Sequence, residues 1–157
     1  PEHLQQDHFV HAGVIATLTR DHGLTCVLVG GDADATTAIA IEAELGRIRR
    51  RRSPGAVINL VGRTSLPQLC GVLALGAAFV SNDSGAMHLA AALGVPVVAL
   101  FGPTSERATS PVGRRATSVL TAPAWCRPCM LRECPLDHRC LTGITVDTVI
   151  GAVKDVL

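Results

Sequence analysis

"FVSNDSGAMHLAAALGVPVVALFGPT", residues 79–104, decides the fold. Two apolar runs, FVSN and VPVVALFG, stand either side of SGAMHLAAALG, which reads as a helix closed by Gly94. The runs are continuously apolar rather than alternating, the pattern of strands covered on both faces of a parallel sheet. Between the first run and the helix lies a polar knot, NDSG, with His88 one turn further on.

Working outward, the same alternation repeats. On the N-terminal side, residues 9–23 carry apolar positions at three- and four-residue spacing, with Gly23 as a stop. LTCVLVGG (24–31) reads as a short buried strand, and a helix comes next from about Asp34. AVINLVG (56–62) is the next strand. TSLPQLCGVLALG (64–76) is a helix with Thr64 or Ser65 as N-cap and Pro67 in the first turn, where proline is tolerated. On the C-terminal side, ATSVLTA (116–122) reads as a further strand, and residues 145–157 as a final helix after a Cys-rich loop. Strands alternating with helices specify an α/β class: a doubly wound, Rossmann-like parallel sheet joined by right-handed crossovers. Residues 1–157 read as a single such domain, with the Cys-rich loop at 126–140.

Composition agrees. Of 157 residues, 48% are hydrophobic and 17% charged, so a packed core is expected and disorder is not. Aromatics are only 3%, so that core must be aliphatic. A net charge of +1 gives no reason to expect nucleic acid. No apolar run reaches the roughly 20 residues of a spanning helix, and no signal peptide opens the sequence. It begins at Pro1 and reads from there like the middle of an α/β protein, so a longer parent chain is expected.

Open parallel sheets bind ligands beyond the carboxyl ends of their strands. Asp83, Ser84 and Gly85 fall at such an end, where a helix begins. First-turn amides have no partner within the helix, and the macrodipole adds about half a positive charge there. Gly85 lets a ligand approach them, so a phosphate or diphosphate suits the site. Ser84 offers a hydroxyl. Asp83 would repel phosphate and suits sugar hydroxyls instead. The plain alternative is that Asp83 or Ser84 caps the helix and His88 is a core histidine. FGPTS (101–105), with Gly102 and Thr104, and VGGDAD (29–34), with Asp32 and Asp34 as ribose-diol acceptors, add two more polar turns. Three such turns on one sheet edge favour a nucleotide-diphosphate cleft.

Residues 79–104, together with VINLVGRTSLPQL (57–69) and CRPCMLRECPLDHRCLTGITVDTVIGAV (126–153), resemble the bacterial lipopolysaccharide heptosyltransferases of glycosyltransferase family 9. The resemblance runs from about Leu24 to the end, in order. It implies the C-terminal, donor-binding half of a GT-B enzyme, two Rossmann-like domains facing across a cleft. It also implies an inverting transfer of heptose from ADP-heptose to the lipopolysaccharide inner core. On this pattern Asp83 meets the heptose, Ser84 and Gly85 hold the diphosphate, His88 is the motif histidine, and Asp34, or else Asp32, is the ribose contact. The family's catalytic base lies in an N-terminal domain, and its first donor-domain strand would precede Pro1, so no catalytic residue is expected here and the fragment alone should be inactive. No cofactor is implied. A cytoplasmic place is, with peripheral contact at the inner face of a Gram-negative inner membrane. Kept open are another GT-B transferase or epimerase using a different sugar nucleotide, and a non-catalytic nucleotide-binding module with a Cys-rich metal loop.

Cys126, Cys129, Cys134 and Cys140 form C-x2-C-x4-C-x5-C, four thiols that could hold a tetrahedral zinc. Only one Cys-x2-Cys knuckle is present, however, and packed reduced thiols are the competing reading. Disulfides do not suit a cytosolic protein. Cys26 and Cys70 read as small core residues. RIRRRR (47–52) reads as a solvated helix end, or as a basic patch drawn to an anionic lipid surface.

Overall fold

A computed structural model describes residues 7–48, 54–131 and 133–157. The basic run at 49–52 lies outside the described residues. The chain divides into two compact units, Pro1–Ser65 and Leu66–Leu157.

In the first unit, α1 (Asp7–Asp21) packs on α2 (Ala35–Ile48), and β1 (Cys26–Leu28) pairs in parallel with β2 (Val57–Asn59). Gly23 comes after α1 with φ +65°, the left-handed conformation that ends helices. Ala12, Ile15, Ala16, Ile41 and Leu45 form the core, with Cys26, Leu28 and Val57 packed against it. Cys26 is thus half in the core, as its apolar setting suggests. The expectation of a buried first strand needs correction: Val27 and, on β2, Ile58 are 40% and 44% exposed. Only one face of this two-stranded ribbon is covered by its own unit.

The second unit is built on β3 (Phe79–Asn82), β4 (Val97–Phe101) and β5 (Thr117–Thr121), all parallel, in the order β3-β4-β5. All five residues of β4 are buried, which is why that run is apolar without alternation. Around the sheet lie α3 (Leu66–Ala74), α4 (Gly85–Ala92), α6 (Arg139–Thr142) and α7 (Val146–Val156). The first of these packs on α4, and α4, α6 and α7 pack on the strands. Leu66 begins α3, so Ser65 takes the N-cap position. Thr145 caps α7 by accepting from the Thr148 amide. Gly94 ends α4 with φ +77°. Two short α-helices have no counterpart in the sequence pattern: the single-turn α5 (Glu106–Thr109) and α6 (Arg139–Thr142). Among the described residues no helix is long and apolar enough to cross a membrane.

Candidate functional site

In a parallel sheet every strand ends at the same edge. The register pairs Asn82 with Leu100 and Phe101 with Thr121, so the turns after β3, β4 and β5 leave side by side. This brings Asp83, Ser84 and Gly85 beside Gly102, Pro103 and Thr104, as the two polar turns of residues 79–104 require.

The β3–α4 bend has a fixed internal order. Ser84 is the N-cap, with extended backbone, and its Oγ accepts from the Met87 amide at 3.3 Å. Ser81 Oγ lies 2.9 Å from Ser84 Oγ and donates to the Asn82 carbonyl at 2.8 Å. With the Ser81 proton so used, the proton between the two hydroxyls belongs to Ser84. The amides of Gly85 and Ala86 precede the first bond of the helix, so the helix itself supplies them no acceptor. A Cβ on Gly85 would meet nothing within 4 Å, so the ground in front of those amides is open. His88 is exposed rather than buried, which removes the core-histidine alternative.

Gly102 owes its small size to packing. A Cβ there would run into the Leu141 side chain of α6. Its carbonyl accepts from Arg127 Nε at 2.6 Å, and that of Thr104 from Arg127 Nη2 at 3.4 Å. The same Nη2 pairs with Glu106 Oε2 at 2.9 Å, and the Met130 amide donates to the Pro103 carbonyl at 3.0 Å. The Cys-rich loop is thereby folded onto the turn after β4. The Glu106 carboxyl is held below its ordinary value chiefly by its own backbone amide, against an opposing cost of burial that is larger than the separate help from the Arg127 charge. At the other end of α5, Thr109 Oγ1 donates to Asp83 Oδ2 at 2.9 Å. Sequence reasoning missed Arg127, Glu106 and Thr109. Their contacts span 21 to 26 residues and obey no local spacing.

Asp34 and Asp32 stand in the first unit, in the turn after β1. Asp34 Oδ2 accepts from the Gly31 amide at 2.9 Å, bracing its own turn. Asp32 sits against Gly62: a Cβ there would run into Asp32 Oδ1, and its φ of +69° is a left-handed conformation that favours glycine.

The zinc expectation finds no support. Among the described residues no group of three or more His, Cys, Asp or Glu side chains is arranged to hold a metal ion. Cys126, Cys129, Cys134 and Cys140 are all unbridged. Burial raises the Cys140 thiol, and the neighbouring Cys126 and Cys134 raise it further by charge repulsion.

Residues 8–139 match the model of glycosyltransferase family 9 (heptosyltransferase). The chain belongs to that family. It is 33% identical over 150 residues to lipooligosaccharide heptosyltransferase 2 of Haemophilus ducreyi, covering 94% of this chain and 42% of that one. It is 38% identical over 106 residues to lipopolysaccharide heptosyltransferase 2 of Escherichia coli K12, covering 68% of this chain and 29% of that one. The solved structure of E. coli ADP-heptose LPS heptosyltransferase II superposes with a TM-score of 0.78 at 30% identity, over 95% of this chain and 40% of that one. This family 9 chain therefore has the Rossmann-like α/β fold of the GT-B heptosyltransferases and spans less than half the length of these relatives.

Proposed function

We propose that this family 9 chain, residues 1–157, is the donor-binding domain of an inverting heptosyltransferase. In this reading it holds ADP-heptose while heptose passes to the lipopolysaccharide inner core. The observation that carries the reading is the open N-terminus of α4, with Asp83 on one side and the Gly102–Thr104 turn of the neighbouring strand beside it. The amides of Gly85 and Ala86 take the diphosphate, and Asp83 takes hydroxyls of the heptose. His88, exposed one turn along α4, reaches the same ligand. Asp34 is assigned a ribose hydroxyl on the family pattern alone.

The chemistry is governed by charge. An acceptor hydroxyl attacks the anomeric carbon, the bond to the diphosphate breaks, and negative charge grows on the leaving oxygen. Fixed amide dipoles at a helix end stabilise that charge without reorganising. The proton of the attacking hydroxyl goes to a base that family members carry in their other domain. No cofactor is needed for such a displacement. A donor and acceptor of this kind meet in the cytoplasm, at the inner face of the inner membrane.

Titration calorimetry with ADP, ADP-heptose and a UDP sugar tests this. Binding of ADP and ADP-heptose, weakened by Gly85→Val, is the expected result. Tight UDP-sugar binding without ADP binding would instead indicate a different donor, and overturn the assignment.

A further inference from the structure

Asp83 meets the sugar in the proposed function, and the role inferred for Thr109 rests on that assignment. An aspartate on a bend has two free torsions, so its carboxylate selects a hydroxyl pattern only if something stops it turning. Thr109, 26 residues away, supplies that restraint through a hydrogen bond to the carboxylate. Thr109 Oγ1 has one proton and two acceptors within reach, Asp83 Oδ2 at 2.9 Å and the Ser105 carbonyl at 3.2 Å. The carboxylate is both nearer and charged, so it takes the proton.

Thr109 is the last residue of a four-residue helix. So short a helix does not hold its shape by propensity, and something outside it must. Arg127 does this. Its side chain is only 12% exposed, and one guanidinium joins Gly102, Thr104 and Glu106, the first residue of α5. The turn after β4 and the start of α5 are thus fixed by one group, and the end of α5 fixes Asp83.

We propose that Thr109 is a positioning residue for donor-sugar recognition: its hydroxyl fixes the Asp83 carboxylate through Oδ2 and leaves Oδ1 to the sugar, with α5 held in place by Arg127. Thr109 touches no phosphate in this arrangement, so its loss should fall on the sugar alone. The recognition of ADP should not change.

The test compares the affinities of ADP and ADP-heptose, by calorimetry, in the polypeptide that carries this chain at its natural length. Thr109→Val removes the hydroxyl and keeps the shape. It is expected to weaken ADP-heptose about tenfold, the order of one charge-assisted hydrogen bond imperfectly replaced, with ADP unchanged. Thr109→Ser keeps the hydroxyl and is expected to keep the parent preference for ADP-heptose over ADP. If Thr109→Val folds poorly, the serine variant decides alone, since loss of that preference with the hydroxyl present overturns the proposal. Parent-like ADP-heptose affinity in Thr109→Val, alongside a loss in Asp83→Ala, overturns the role of Thr109 and leaves the donor site standing. No loss in Asp83→Ala overturns both.

Discussion

At Ser84 the hydroxyl has a single proton, and the β3–α4 bend decides where it goes. That proton bridges to Ser81, and the lone pair opposite accepts the Met87 amide. Ser84 is therefore occupied as a cap, and in the proposed function the anion seat is left to the backbone amides of Gly85 and Ala86. The two neighbours should then respond oppositely to alanine. Ser84→Ala loses the cap and should cost about 1 kcal/mol in urea unfolding. Gly85→Ala puts a methyl into open space and removes a flexible residue from a helix start, so stability should hold or rise. ADP affinity should fall in Gly85→Ala all the same. An alanine there that leaves ADP binding intact would move the seat elsewhere. The bend at Asp83, Ser84 and Gly85 was legible in the sequence because its signal is local, a strand end meeting a helix start. Gly102 was legible as a turn residue, but its packing against Leu141 was not, because the partner lies 39 residues on.

Among the elements, α5 and the Cys-rich loop were the least legible. Four residues cannot display a helical period, and Glu106–Thr109 is helical because its two ends are tied down, at Arg127 and at Asp83. The loop drew attention for its thiols, while the residue that anchors it is Arg127, set inconspicuously between Cys126 and Pro128. This attachment has a pH signature. The Glu106 carboxyl is lowered from its ordinary 4.5, so the folded state favours the ionised form. Its stabilising contribution is complete above that ordinary value and is lost as pH falls through the lower, folded one. Thermal melts of the parent and of Glu106→Gln should accordingly differ at neutral pH, with the parent higher, and converge well below pH 4.5. The gap should be modest because Glu106 is 38% exposed and its pairing is partly screened. A gap that persists unchanged into acid would mean that the charge on Glu106 is not what holds α5.

For the whole molecule, the α/β class was legible because aliphatic runs and helical periods alternate along most of the chain. The division into two compact units was not, since no change in composition or linker marks residue 65. Nor was the unequal burial of the strands, which depends on what covers each face rather than on the run itself. CVL and VVALF look alike as sequence. In the structure Val27 is 40% exposed, whereas every residue of β4 is buried, with Phe101 at 0% and paired with Thr121 of β5. Side-chain truncation should therefore cost very different amounts at two apolar strand positions. Phe101→Ala removes a fully enclosed ring from a core that has few aromatics to replace it, and should cost about 3–5 kcal/mol in urea unfolding. Ile58→Ala, at a position 44% exposed on β2, gives up much less contact and should cost on the order of 1 kcal/mol or below. Phe101 also immediately precedes Gly102, so the cavity opens next to the turn that Arg127 clamps, and loss of ADP affinity should accompany the loss of stability. Equal costs at the two sites would mean that β4 is not the centre of the second unit, and that the turn carrying Gly102 and Thr104 is not supported from below in the way its burial implies.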